Sequence, residues 1–398
     1  MENKFKIAFI SAVPFYYQVP FYRRLTQLPE IALTVYFCSN ETITKSAVKK
    51  NYLSEGEFTK ENLLEGYDYK FLKNYSLIPS YLHGFFGLMN LGIFSEIKNG
   101  GHDAVVLQAW NNVTWILAFL ACLIFRKKIY FMTDSNILEE AKKSKVKRLF
   151  KKVVLGKFLF KLASGFLISG KSNKMFYKSY GVQEKKMIHF AFSWGYDDII
   201  KKAESLLPKR GKLRKILQLE DTDFVILYVG RFSKEKSVAT MIEAYKKMSG
   251  NNKKLFLVGS GPEGKMLKNK VESENIKGVH FFGFKSREEV FNFYALSDLL
   301  VLPSVRETWG IAVSEAMCFG LPIIVSDNVG SGPDLVESGS NGFIFESGSA
   351  QSLLLVLNQM ITMKDDERKM LGRKSQEILG SWIKKLNDIN QIKLLING

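Results

Sequence analysis

Ten short apolar runs, most of them rich in β-branched or aromatic residues, punctuate this chain, and longer segments of helical periodicity fill the intervals between them. The runs are Lys6–Ser11, Leu33–Cys38, Ala104–Gln108, Ile129–Thr133 and Phe166–Ser169, then Phe224–Val229, Leu255–Val258, Val279–Phe282, Leu299–Leu302 and Ile323–Ser326. A strand covered on one face alternates apolar with polar residues, whereas a parallel strand covered on both faces is apolar almost throughout. Many of these runs follow the second pattern, and strand–helix alternation on this scale specifies an α/β protein of doubly wound sheets. Ten strands exceed one ordinary sheet. The alternation pauses once, in the polar segment Pro208–Asp223, which holds Gly211 and six charged residues between Lys209 and Glu220. A linker is expected near residues 195–222, dividing the chain into halves of similar size. An amphipathic helical stretch from about Asp365 to Leu395 closes it.

With 46% apolar and 24% charged residues, the chain can build large cores, which excludes disordered and collagen-like architectures. Cys38, Cys122 and Cys318 are odd in number and scattered, so they form neither a disulfide framework nor a zinc site by spacing and fit a reducing compartment. Met1–Ile7 lacks the apolar stretch of a signal peptide. The most apolar run, Trp115 to Phe125, has eleven residues, against about twenty for a spanning helix, and is expected to be a buried core helix. The expected location is therefore the cytoplasm or the cytoplasmic surface of a membrane. A net charge of +18 calls for an anionic partner: nucleic acid, anionic lipid or a phosphorylated substrate.

In doubly wound folds ligands bind outside the carboxyl ends of the strands, so the residues just after each run carry the chemistry. After Phe224–Val229, Gly230 ends the strand, and Arg231 and Lys236 bracket the loop with two cations suited to phosphate oxygens. After Leu255–Val258, Gly259-Ser260-Gly261-Pro262-Glu263-Gly264 matches the dinucleotide fingerprint literally. It sits on the second unit of its half, however, Pro262 suits a first helical turn, and the following strand ends in Gly283-Phe284 rather than an acid for a ribose. A dehydrogenase is disfavoured, leaving a nucleotide-contacting loop or a tight turn. After Leu299–Leu302 come Glu307 and Glu315. On one continuous helix they would stand about 12 Å apart along the axis, too far for a close acid–base pair. The economical arrangement puts Glu307 in the loop and Glu315 on a helix beginning near Gly310, whose amino end offers N–H groups and a favourable dipole to an anion. The alternative is two unrelated surface glutamates.

Gly230-Arg231 with Lys236, Gly259-x-Gly261-Pro262, Phe282-Gly283, Glu307-x7-Glu315, Gly320-x-Pro322, Asn341-Gly342 and Ser381-Trp382 resemble, in order and spacing, the retaining glycosyltransferases of family four, the group 1 glycosyltransferases. The resemblance is specific over about residues 224–345 and diffuse over the amino-terminal half. It implies a GT-B architecture: two Rossmann-like domains facing across a cleft, with the last helix crossing back to the first. The amino-terminal, acceptor-side domain would be 1–198 completed by about 381–398, and the donor-binding domain 199–380. It also implies a nucleotide-sugar donor as substrate, retention at the anomeric carbon, and neither cofactor nor metal. Arg231 and Lys236 would neutralise the departing diphosphate, and Glu307 would hold donor-sugar hydroxyls beside the backbone of Trp309 and Gly310. Glu315 would bind the ribose, with Gly259, Gly261 and the segment around Phe284 bordering the nucleotide.

The pattern breaks at three places. Ser237 follows Lys236 where glycine is usual, the first loop (Ser11–Gln18) lacks a Gly-Gly pair, and Gln108-Ala109-Trp110-Asn111 stands where a histidine is common. The aromatic loop Phe15–Tyr17 then either shapes an acceptor site through Tyr16 and Tyr17 or packs into the core, and His83 and His189 read as structural. Between Glu140 and Glu184 twelve basic residues and no acidic one occur, among them Lys142, Lys143, Lys147, Arg148, Lys152 and Lys157. Val146, Leu149, Phe150, Val153 and Val154 recur there at helical spacing, as on a helix lying on anionic lipid, unless the stripe packs on its own sheet. The expected activity is transfer of a sugar to a lipid-linked or polysaccharide acceptor, with an anionic membrane met through residues 141–183. The competing classes are a nucleotide-sugar epimerase of the same fold and a nucleic-acid binder. No nucleic-acid motif accompanies the basic run, so no nucleic-acid partner is expected.

Overall fold

The computed structural model describes residues 4–43, 63–141, 144–189, 195–250 and 252–386, together with 391, 394 and 396. The chain divides into two compact units, one of Met1–Gly195 with Lys385–Gly398 and one of Tyr196–Lys384.

In the first unit, β1 (Phe5–Ser11), β2 (Ile31–Phe37), β3 (Asp68–Phe71), β4 (Ala104–Leu107), β5 (Lys128–Met132), β6 (Gly165–Ile168) and β7 (Met187–His189) form a parallel sheet in the order β3-β2-β1-β4-β5-β6-β7. In the second, β8 (Phe224–Val229), β9 (Lys253–Val258), β10 (Val279–Gly283), β11 (Leu299–Leu302), β12 (Ile323–Ser326) and β13 (Gly342–Phe345) follow the order β10-β9-β8-β11-β12-β13, again parallel. Both are Rossmann-like sheets of the doubly wound class. The central strands are fully buried because helices cover both faces; every residue of β4, β6, β11 and β12 is buried. In each sheet the order reverses beside its first strand, between β1 and β4 and between β8 and β11. Those are the switch points where a crevice opens.

Three strands escape the ten apolar runs, and all three are edges or short. Asp68-Tyr69-Lys70-Phe71 is mostly exposed, β7 has three residues, and β13 carries a glycine. Edge strands are half-solvated, so the apolar signal that betrays a central strand is missing.

The segment expected to hold the linker contains helices over Tyr196–Leu206 and Arg210–Ile216. Within it Arg214 is buried and donates to the carbonyls of Leu296 (3.0 Å), Glu220 (2.9 Å) and Asp223 (2.6 Å). Arg210 reaches the carbonyls of Ala295 and Ser297 and the Asp298 carboxylate. Planar guanidinium forks can be buried where each N–H finds an oxygen, and here they clamp the segment to the second unit.

The apolar run at Trp115–Phe125 also departs from expectation. It forms the helix Val113–Ile124, whose Trp115, Ala118, Phe119 and Cys122 enter the core while Ile116, Leu120, Leu123 and Ile124 are exposed. The helix belongs to an outer layer, and nothing in the described residues covers its far side. No described helix is long and apolar enough to cross a membrane.

Candidate active site

At the switch point of the second unit, the loops after β8 and β11 lie side by side. Val305 and Arg306 donate backbone N–H bonds of 2.8 and 3.2 Å to the Glu235 carbonyl, which fastens one loop to the other. Across this junction Lys236 forms an ion pair with Glu307. Their side chains are 24% and 12% exposed, so the pair is half-sheltered yet open to a ligand. Glu307 is held through its own backbone: its carbonyl accepts from Gly330 at 3.0 Å, and the residue bridges to Val329. Arg231 is exposed at the mouth of the loop. Beneath it Tyr228 donates to the Arg231 carbonyl at 2.9 Å, and burial first, then the Glu307 charge, pushes that phenol far above its ordinary pKa.

The helix after Glu307 runs Ile311–Cys318, and Gly310 ends the loop before it with φ of +94°. A side chain there would meet Leu302, Val329 and Glu307 at 2.9–3.3 Å, so only glycine lets the chain turn into the helix this close to Glu307. Glu315 lies on this helix, buried, and accepts from Arg287 Nε at 2.9 Å and from the Tyr294 hydroxyl at 3.1 Å. Each carboxylate oxygen can accept a further bond, so Glu315 keeps capacity for a ligand hydroxyl.

Gly259 and Gly261 owe their identity to close approach. A Cβ on Gly259 would stand 1.9 Å from the Gly230 carbonyl oxygen, and one on Gly261 2.4 Å from that of Phe232. The loops interlock by Gly230 N–H to Val258 (3.0 Å), Phe232 N–H to Ser260 (2.8 Å) and Gly259 N–H to Gly283 (2.8 Å). A cavity of about 410 Å³ opens beside them, lined by Phe232, Gly259, Ser260, Gly261, Lys265 and Phe281 among others. Phe284, just beyond β10, is half-buried.

The structure thus gathers Gly230, Lys236, Glu307 and Gly310 at one junction, with Gly259 and Gly261 on the adjoining loop. Trp309 contributes its backbone and its ring to different places. Its ring is buried and stacks on Trp382 at 5.2 Å, so it packs the carboxyl-terminal helix and only its backbone faces the Glu307 loop. Ser237 adopts φ of +52°, the left-handed conformation that glycine takes without penalty.

In the first unit, Tyr16 and Tyr17 follow β1. Tyr17 stacks on Phe15 at 5.2 Å and meets Tyr16 edge-on at 5.6 Å, and Phe15 also contacts Tyr81. Loss of hydration, and next the Asp134 charge after β5, raise the Tyr17 phenol well above its usual range. Tyr16 is exposed. His83 Nδ1 bonds to the Ile78 carbonyl at 3.1 Å, and the His189 backbone N–H donates to Gln391 at 3.0 Å.

The family described as glycosyl transferases group 1 matches residues 209–378. That segment is a group 1 glycosyltransferase domain. Over 170 residues the chain is 29% identical to N-acetyl-alpha-D-glucosaminyl L-malate synthase of Bacillus anthracis, covering 42% of this chain and 43% of that protein. Over 137 residues it is 33% identical to alpha-monoglucosyldiacylglycerol synthase of Acholeplasma laidlawii, covering 33% and 34%. The chain therefore spans less than half the length of these two relatives. Among solved structures, HepE of Anabaena in complex with UDP is similar over 98% of this chain and 99% of that one, with a TM-score of 0.72 and 18% identity. That likeness is one of fold, GT-B.

The glycosyltransferase domain contains two site neighbours that the sequence does not reveal, Arg287 and Tyr294. They stand on the helix Arg287–Leu296, opened by a Ser286–Glu289 capping box. That box is legible in sequence, but the pairing of its helix with Glu315 is tertiary. The buried hydroxyls of Ser304 and Ser331 also flank the Glu307 loop, and neither has a hydrogen-bond partner among the described residues.

Proposed function

We propose that the protein is a retaining, metal-independent glycosyltransferase that moves a sugar from a nucleoside-diphosphate donor to a hydroxyl of a lipid-linked or polysaccharide acceptor. The observation that carries this reading is the Lys236–Glu307 pair at the β8/β11 switch point, next to the amino end of the helix Ile311–Cys318. A diphosphate placed there meets Arg231, Lys236 and the unpaired N–H groups of a helix start. As the bond from the anomeric carbon to the diphosphate oxygen breaks, its electron pair leaves with the phosphate. Fixed cations stabilise that charge more than they stabilise the bound donor. Glu307 holds donor-sugar hydroxyls, and Glu315, steadied by Arg287 and Tyr294, holds the ribose. The acceptor hydroxyl forms the new bond on the face the phosphate leaves, and its proton passes to the departing phosphate oxygen. Tyr16 and Tyr17 are assigned to the acceptor.

Two comparisons support the reading: HepE is described as bound to UDP, and the Acholeplasma relative is named as a synthase of a glycosylated diacylglycerol. A cytoplasmic membrane face fits such an acceptor, and residues 141–183 supply its electrostatic contact. Lys142, Lys143 and the side chain of Phe150 lie outside the described residues, but Val146, Leu149 and Val153 are exposed rather than packed on the sheet. The test is titration with a panel of UDP-, GDP- and ADP-sugars. Saturable binding of one class supports the proposal, and binding of none refutes it.

A further inference from the structure

Residues 74–95 contain no Asp, Glu, Lys or Arg. Up to Gly92 this stretch is an irregular loop with a single short turn of helix, Gly84–Phe86. Such a loop is ordinarily polar, yet Leu77 is 99% exposed, and Tyr75, Ile78, Leu82, Phe85, Phe86 and Leu91 are exposed by about half. Its polar groups turn inward. Asn74 donates to the Gly87 carbonyl (2.9 Å) and accepts from the N–H groups of Ser76 (3.1 Å) and Met89 (2.9 Å). The Ser76 hydroxyl donates to Phe86 (2.6 Å) and accepts from Ile78 (3.0 Å). Tyr75 and Ser80 donate backbone bonds to Met89 and Gly87. At the base, buried Asn90 donates to the carbonyls of Cys38 and Leu72, tying the loop to the sheet. A loop that bonds several of its own backbone groups internally and presents carbon outward suits the boundary between water and hydrocarbon.

Two neighbours extend the surface. The helix Val113–Ile124 joins the loop through Asn90 N–H to the Thr114 hydroxyl (2.9 Å) and presents Ile116, Leu120, Leu123 and Ile124 outward. The basic segment presents Val146, Leu149, Val153, Phe158 and Leu162 between its lysines. The inward residues of all three, among them Leu88, Phe119, Leu155 and Phe160, form one core cluster, and Trp110 meets Phe160 at 5.7 Å. They therefore belong to one helical layer on one face of the sheet. In the second unit, exposed large apolar residues such as Ile216, Met266 and Leu355 are isolated in sequence on separate elements.

We infer that the loop 75–91 is a preformed wedge that enters the hydrocarbon boundary of an anionic bilayer, with the helix Val113–Ile124 beside it and the lysines of residues 145–178 on the headgroups. Charge complementarity selects this occupant: large exposed apolar patches mark contact sites, and one rimmed by lysines fits anionic lipid. The inference deepens the membrane part of the proposal above and is independent of sugar transfer.

The test is sedimentation with vesicles of phosphatidylglycerol and phosphatidylcholine in equal parts, at low salt and at about 1 M salt, where surface electrostatics are screened. Wild-type protein is expected to bind at low salt and to keep a salt-resistant fraction. The variant Leu77→Ser/Phe85→Ser/Phe86→Ser, with the wild-type melting temperature, is expected to lose that fraction and to partition on the order of 10- to 100-fold more weakly. The variant Lys147→Gln/Arg148→Gln/Lys152→Gln/Lys157→Gln is expected to lose mainly the salt-sensitive part. The Phe86→Trp variant is expected to shift its emission to the blue on vesicles. Wild-type partitioning of the serine variant, or a wild-type protein that ignores vesicles and dimerises through this loop in sedimentation velocity, would overturn the inference. Donor binding, measured separately, reports on the transferase reading alone.

Discussion

Lys236 carries the most direct chemical consequence. Replacing it with Gln removes one of the fixed cations assigned to the departing diphosphate, and loss of one such preorganised donor costs about 10²–10³ in turnover, roughly 2.7–4 kcal/mol. The effect on folding is expected to be far smaller. The ion pair with Glu307 has side chains 24% and 12% exposed, and half-sheltered pairs contribute only about 1 kcal/mol, or roughly 2–4 °C for a unit of this size. The two costs separate in a double-mutant cycle. Glu307→Gln alone is also expected to lose about two orders of magnitude in turnover. The double variant should recover most of the melting temperature, because neither charge is left unpaired, while turnover stays low. The assay is single-turnover release of nucleoside diphosphate beside a thermal melt. Turnover within about threefold of wild type in Lys236→Gln, or turnover that returns with stability in the double variant, would refute the assignment.

Gly259→Ala places a methyl 1.9 Å from the Gly230 carbonyl oxygen at φ of +143°, so the β8 and β9 loops must part. We expect a loss of about 2–3 kcal/mol in chemical denaturation, with weakened nucleotide binding in calorimetry. Ser237→Gly relieves a left-handed residue at φ of +52° and should raise stability by up to about 1 kcal/mol. A fall in stability would mean that the 2.8 Å bond between the Ser237 and Thr240 hydroxyls outweighs the backbone strain.

What the sequence discloses follows from which signals are local. Central strands such as Leu299–Leu302 and Ile323–Ser326 are legible because burial on both faces forces unbroken apolar runs. The edge strand Asp68–Phe71 is not, since water meets most of it. Gly259 and Gly310 stand out because close approach restricts residue type at fixed offsets from a strand end, and Lys236 and Glu307 because charged residues at such offsets suit the proposed phosphate and sugar contacts. The Arg214 clamp was hidden: in sequence it is one charge in a polar stretch, and only the fold supplies its three carbonyl partners. Arg287 and Tyr294 were hidden for the same reason, since their partner Glu315 lies more than twenty residues away. The exposed apolar loop 75–91 is not legible in sequence because an apolar loop has no helical or strand period, and its exposure is a tertiary fact.

Calorimetric titration of the whole chain with UDP, GDP and ADP, and with their sugars, tests the central claim most directly. One nucleotide class is expected to bind at a single site, with affinity that falls in Glu315→Gln and Lys236→Gln and is unchanged in Leu77→Ser/Phe85→Ser/Phe86→Ser. Failure of every nucleoside diphosphate to bind, or binding indifferent to both site substitutions, would contradict it.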